Sequence, residues 1–250
     1  MSWLSVAGIP AALYSVQNLA SLQAYQNLDS LTFNVLNQTK TLSAALCCYL
    51  VMGRRQSKMQ MVALLLLLVS ALVMEKIVTV DILLGHDTIS IQNMDSKHLT
   101  QGVMPVLLAS FISGLAGALC QKNLQGSGGR NPYLFSMELC AASTMILLAS
   151  LPVSPDGQRI QENGFWHGWT PSTLIPILTN SIGGILVGLV TKYAGSVRKG
   201  FAIIFGMFLS GLAQAPSTGV SMEQLTGGGL AAMSLWLHAL NPPTKTTKKA

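Results

Sequence analysis

The stretch Leu31–Met52, LTFNVLNQTKTLSAALCCYLVM, decides how the rest of the chain is read. It is long enough to cross a bilayer as a helix, for which about 20 residues suffice. Its first half nevertheless carries Asn34, Asn37, Gln38 and Lys40. A lysine near the middle of a lipid span costs about 2.5–3.5 kcal/mol on insertion scales, so it normally faces a protein interior or a wet cavity. Lys40 lies too deep for its ammonium to reach the interface, and it is the residue that calls for an anionic partner.

Composition supports a membrane setting. Of 250 residues, 50% are hydrophobic and 10% charged, with a mean hydropathy of +0.48. A soluble domain carries about 25% charged residues. In a soluble protein the net charge of +6 would suggest nucleic acid. Here it follows from the excess of Lys and Arg on cytosolic loops, and no nucleic-acid partner is expected. Cys47, Cys48, Cys120 and Cys140 lie in apolar runs without metal-ligand spacing and read as small core residues. His86, His98, His167 and His238 are scattered, and no nucleophile or metal motif accompanies them, so neither an enzyme nor a cofactor is expected.

A window of about 19 residues finds about eight spans. They are Leu4–Gln26, Leu31–Met52, Met59–Ile77, Val103–Cys120, Tyr133–Val153, Leu174–Thr191, Lys199–Gln214 and Val220–Leu240. Assigning the joints alternately to two sides gives a sharp charge asymmetry. Arg54, Arg55, Lys58, Lys122, Arg130, Lys192, Arg198, Lys199, Lys245, Lys248 and Lys249 fall on one side. The other receives Lys97 and Arg159 together with Asp29, Asp81, Asp87, Asp95, Asp156, Glu162 and Glu223. The basic side is therefore the cytosolic one, and both termini lie there.

The basic tail 244–250 reads as a cytosolic segment that misses a dilysine retrieval signal by one residue, and residues 1–243 read as one membrane domain. The chain starts almost inside its first span, which suggests a shortened product. Gly114, Ala116, Gly117, Gly183, Gly184, Gly188, Gly200, Gly206 and Gly211 suit closely packed helices. Asn37-Gln38-Thr39 is a formal glycosylation sequon inside a span and is expected to be unused. Trp166, His167 and Trp169 sit at a span boundary, where aromatic belts are found.

The polar residues inside spans are the candidate site. Tyr14, Gln17 and Asn18 fall about one turn apart, as do Asn37 and Lys40. Ser136 and Glu138 lie in the first turns of the fifth span, and Lys199 opens the seventh. Two ammonium groups with amide and hydroxyl donors suit a phosphorylated, hydrogen-bonding solute. Plainer readings stand beside this one. Arg198 and Lys199 also suit topology anchors, Glu138 suits a structural partner for Lys40, and Gln17 and Asn18 suit interhelical hydrogen bonds.

The run from Ile9 to Gln60 resembles the nucleotide-sugar transporter family, in the branch that carries CMP-sialic acid, UDP-galactose and UDP-N-acetylglucosamine. The likeness rests on Pro10, Tyr14, Gln17 and Asn18, on Asn27-Leu28-Asp29, on Gln38 and Lys40, and on Ser57-Lys58. Further on, Ser113 to Gly117, Gly164 to Gly168, Lys192-Tyr193 and Arg198 to Phe201 follow the family's signatures in order.

The resemblance implies an all-α, polytopic membrane helix bundle of inverted repeats. About eight transmembrane helices of a ten-helix fold would be present, the first two missing. It implies a Golgi or endoplasmic reticulum membrane and antiport of cytosolic UDP-sugar for lumenal UMP or CMP. Lys40 and Lys199 match the family's phosphate-binding lysines, Gln17 and Asn18 its nucleotide-contacting amides, and Phe33 a tyrosine position. The family's Arg-Asn-x-Gln is Phe135-Ser136-Met137-Glu138 here. That leans the expected substrate towards UDP-N-acetylglucosamine or UDP-N-acetylgalactosamine over CMP-sialic acid or UDP-galactose. The alternative is a shortened, non-transporting isoform that dimerises with or regulates a full-length transporter, so a homo- or hetero-oligomer is a further expectation.

Overall fold

The computed structural model describes residues 4–28, 30–74, 99–126, 129–218 and 222–241. Asp29, Asp81, Asp87, Asp95, Lys97, His86, His98 and the 244–250 tail lie outside them, as does the side chain of Asn34. The described residues form α1 (Ile9–Asn27), α2 (Ser30–Met52), α3 (Lys58–Met74), α4 (Met104–Gln125), α5 (Pro132–Ser150), α6 (Pro155–Asn163), α7 (Leu174–Tyr193), α8 (Ser196–Thr218) and α9 (Met222–Leu240). A π-helical turn, Leu4–Gly8, leads into α1, and another, Leu99–Val103, leads into α4.

All eight expected spans coincide with a long helix, and the differences lie at their ends. The short α6 falls in a joint. Lys199, expected as the first residue of its span, sits one turn inside α8. Length and apolarity alone qualify Thr100–Gln125, Pro132–Val153 and Pro171–Tyr193 to cross a membrane, and Lys58–Val73 is a shorter apolar helix. The other long helices fall below that measure because they carry polar residues, several of them turned inward: Gln38 and Thr41 on α2 and Ser234 and His238 on α9 are buried.

Local chemistry sets the helix ends. Ser57 and Gln60 form a reciprocal cap on α3: Ser57 N donates to Gln60 Oε1 at 3.0 Å, and Gln60 N donates to Ser57 Oγ at 3.2 Å. Asn131 caps α5 by accepting from Tyr133 N at 2.9 Å, with Pro132 in the first turn. Ser154 caps α6 in the same way through Gly157 N.

Helix α4 is the centre of the bundle. It packs along α2 and α1 and also meets α7 and α8. Half of its span is buried, whereas none of the α7 span is. Gly114 explains the closeness of α4 to α2, because a Cβ there would lie 2.6 Å from the Ser43 carbonyl carbon and 2.7 Å from Ala44 N. Cys47, Cys48 and Cys120 are buried as expected, but Cys140, on α5, is exposed; all four are free thiols.

Helices α3 and α9 pack antiparallel through two reciprocal hydroxyl bonds. Ser70 Oγ donates to the Gly227 carbonyl at 2.8 Å, and Ser234 Oγ donates to the Ala63 carbonyl at 2.5 Å. The pairs step two turns in opposite directions, from 63 to 70 on one helix and from 234 to 227 on the other.

The joints assigned to the basic side meet at one end of the bundle. Arg54 Nη1 donates to Gln125 Oε1 at 2.7 Å, and Gln125 Nε2 donates to the Thr191 and Lys192 carbonyls at 3.1 and 2.6 Å. Lys192 Nζ in turn donates to the Arg130 carbonyl at 3.0 Å. At the opposite end Ala24, Leu28, Val103 and Val106 form an apolar cluster, with Phe33 and Leu36 packed on it. Phe165, Trp166 and Trp169, beyond α6, are exposed and pack ring on ring, with centroids 4.9–5.8 Å apart. Such a cluster suits a membrane interface.

Candidate functional site

Two cavities flank α8, and Lys199 lines both. The smaller, about 90 Å³, is bounded by Lys40, Thr41, Ala44, Ser113, Gly117, Ser196, Lys199, Gly200 and Ile203. The larger, about 270 Å³, has Tyr14, Cys120, Ser136, Asn180, Ser181, Gly184, Gly188 and Lys199 in its lining. Lys40 and Lys199, far apart in sequence, thus face one space.

Lys199 is placed by a clamp on the first turn of α8. That turn has backbone N–H groups without helical partners. Gln121 of α4 reaches across, and its Oε1 accepts from Ser196 N at 2.9 Å. Ser196 Oγ donates to the Gly117 carbonyl at 2.7 Å. The turn before it requires Gly195, whose φ is +89° and whose Cβ would lie 2.8 Å from Gln121 Nε2. One turn later Gly200 lets α8 approach α2, since a Cβ there would stand 2.6 Å from both Cγ2 and Oγ1 of Thr41.

The electrostatics favour an anion. Neither lysine has a carboxylate partner among the described residues; the ion pair found there joins Arg130 and Glu138 at 2.9 Å. Thr41 Oγ1, beside Lys40, is buried without a hydrogen-bond partner among the described residues. Two ammonium groups and an unsatisfied hydroxyl on one small cavity have the inventory for phosphate oxygens.

The larger cavity is mostly apolar, with Tyr14 packed against Val6, Cys120, Leu124 and Phe135. Ser136 enters it where α5 meets α7 at Gly188, whose Cβ would lie 2.6 Å from Ser136 Oγ. Glu138 points elsewhere. Arg130 holds it with two bonds, at 2.9 and 3.2 Å, so the expected partnership with Lys40 is not formed. It lies outside the lining of both cavities.

Three further expected residues also fall outside these linings. Gln17 is half-buried and donates to Ser21 Oγ at 3.4 Å, and Asn18 is exposed. Phe33 packs edge-on against Tyr25, centroids 5.2 Å apart, in the apolar cluster at the end opposite the basic joints. Conversely, Thr41, Ser113, Ser196, Asn180 and Ser181 line the cavities without having been singled out as site residues. Asn180 and Ser181 carried a legible signal, since they are polar neighbours within an apolar span.

Residues 3–231 match the family described as nucleotide-sugar transporter. The chain belongs to the nucleotide-sugar transporter family. It is 42% identical over 214 residues to the UDP-N-acetylglucosamine transporter ROCK1 of Arabidopsis thaliana, covering 86% of this chain and 64% of that one. It is 30% identical to the UDP-galactose translocator of Homo sapiens, covering 93% and 57%. Against the UDP-N-acetylglucosamine transporter of Rattus norvegicus identity is 29%, covering 81% and 60%. The chain thus spans 57–64% of the length of these relatives. The family consists of transporters, not enzymes, and the described residues of this chain include three helices long and apolar enough to cross a membrane.

Proposed function

We propose that this chain carries a pyrimidine nucleotide sugar across a Golgi or endoplasmic reticulum membrane, exchanging cytosolic UDP-sugar for lumenal UMP. One observation carries the reading: Lys40 and Lys199, on different helices, face one cavity without a carboxylate among the described residues to neutralise them. The diphosphate would sit between the two ammonium groups. The larger cavity beyond Lys199 would take the nucleoside or sugar, with Ser136, Asn180 and Ser181 as its polar contacts and Tyr14 as an apolar wall.

Gln17, Asn18 and Phe33 would join the site only in another conformation of the cycle. UDP-N-acetylglucosamine is the favoured substrate, on the likeness to ROCK1 and on Ser136 in place of the family's amide. Glu138 acts on that choice only through Arg130.

The reciprocal α3–α9 bonds support a pseudo-two-fold relation between the halves, as inverted repeats require. Rocking about such an axis gives alternating access. The excess of Lys and Arg at the end that gathers the α2–α3, α4–α5 and α7–α8 joints favours that end as cytosolic.

The test is uptake of UDP-N-acetylglucosamine into proteoliposomes preloaded with UMP. Saturable uptake is expected. Hydrogen bonds to charged groups are worth about 1.5–3 kcal/mol, so Lys40→Ala or Lys199→Ala should weaken substrate affinity by roughly tenfold or more. Normal transport by Lys40→Ala refutes the phosphate site. Intact UMP binding without uptake would favour the regulatory, non-transporting reading.

A further inference from the structure

A third cavity, about 320 Å³, opens at the basic end of the bundle, and the lysine site does not use it. It lies between the α2–α3 joint, the end of α4, the α7–α8 turn and the last turn of α9. Its lining includes Arg54, Gln56, Arg198 and His238, with Gln121 and Gln125 behind them. Among the described residues no carboxylate lines it. Its volume reaches the lower end of the range of ligand pockets, about 300–1,000 Å³.

Two groups in this lining are unsatisfied. His238 is 4% exposed, and both ring nitrogens lack a hydrogen-bond partner among the described residues. Its ring packs against Phe201, with centroids 4.8 Å apart, which fixes its orientation. Gln56 Oε1 is likewise buried and has no partner among the described residues. Leaving a buried imidazole without partners is costly, so a ligand that pairs with it is favoured. Arg198 is exposed at the rim and has no carboxylate partner among the described residues. Arg54 already gives one guanidinium nitrogen to Gln125 and keeps other N–H donors free for a ligand.

We infer that this cavity is a second phosphate-binding site at the basic mouth, separate from Lys40 and Lys199. Arg198 and Arg54 supply charge and forked donors, and His238 supplies a ring nitrogen from the cavity wall. The ligand is a phosphate monoester, carried either by a soluble nucleotide or by a phosphoinositide headgroup. The inference rests on the transport reading only for which side the mouth faces. For a nucleotide, the site would be a first stop before the lysine pair, one residue along from Arg198.

The test uses the full chain in nanodiscs and radiolabelled UMP. In pure phosphatidylcholine discs, Lys40→Ala/Lys199→Ala should retain a weak, saturable UMP site. Adding Arg198→Gln should weaken that site tenfold or more, and adding His238→Phe, which keeps a ring against Phe201, should do the same. If His238→Phe does not fold, the exposed Arg198→Gln carries the test.

In a second arm, discs contain phosphatidylinositol 4-phosphate, and lipid retained on the protein is counted by native mass spectrometry. Retention that Arg198→Gln abolishes, with no residual UMP site, assigns the site to the headgroup. The inference is overturned if the double lysine variant binds neither probe, or if binding is indifferent to both Arg198→Gln and His238→Phe. Uptake by the unsubstituted chain, and its loss in Lys40→Ala, would stand in that case, so the two readings fail separately.

Discussion

Gly114→Ala is the sharpest test of how α4 and α2 hold the site together. The added methyl carbon would lie 2.6 Å from the Ser43 carbonyl carbon, 2.7 Å from Ala44 N and 2.9 Å from Ser43 Cβ. Carbon contacts are optimal at about 3.5–4.0 Å, so the helices must part by roughly 1 Å. The two nearest obstacles are main-chain atoms and cannot rotate away. Overpacking of this kind costs about 1–3 kcal/mol, while alanine's better helix propensity returns about 1 kcal/mol.

Gly183→Ala on α7 isolates the propensity term, because its Cβ would meet none of the described residues within 4 Å. The contact itself should therefore make Gly114→Ala less stable than Gly183→Ala by about 1–3 kcal/mol. At about 2–4 °C per kcal/mol for domains of 150–250 residues, the separation in Tm is several degrees. The assay is thermal unfolding of the purified variants in one detergent, followed by UMP binding. Ala44, Ser113 and Gly117 line the lysine cavity, so Gly114→Ala should lose affinity as well as stability. Equal Tm values for the two variants would refute the close approach of α2 and α4.

Gly200→Ala should push α8 off Thr41, which is β-branched and has few rotamers to yield into. UMP affinity is expected to fall about tenfold, the equivalent of 1.4 kcal/mol, and Thr41→Ala in the same chain should restore part of it; no recovery would refute this account of Gly200. Gln121→Leu strips Ser196 N of its buried acceptor, costing about 1–3 kcal/mol, with weaker UMP binding because Lys199 follows one turn on. Unchanged unfolding would show that the clamp is idle. Ser70→Ala and Ser234→Ala should each cost about 0.6 kcal/mol, up to about 1.7, the measured range for interhelical hydrogen bonds in a membrane. Because they lie two turns apart, a double-mutant cycle should show additivity within about 0.5 kcal/mol.

Much of the fold was legible because a bilayer imposes it. Without water in the hydrocarbon, every backbone N–H and C=O must pair within its own segment, so a long apolar run becomes a helix. The eight spans accordingly coincide with helices to within a few residues at most ends. Even Lys199 was misplaced only by the first turn of α8, which the polar Gly195-Ser196 turn concealed. Lys40 was legible for the same reason, since a charge at that depth requires an explanation.

Sequence by itself thus determined where the long helices run, the alternation of charge between their joints and the presence of two lysines in or beside apolar spans. Tertiary structure decided which of those residues meet. Helical periodicity tells which side chains share a face of one helix, but not how that helix is rotated against its neighbours. Close approaches at Gly114 and Gly200 and the Gln121–Ser196 clamp set those rotations. They bring Lys199 to Lys40, put Ser136 and Tyr14 beside Lys199, leave Phe33 at the far end with Tyr25, and turn Glu138 to Arg130.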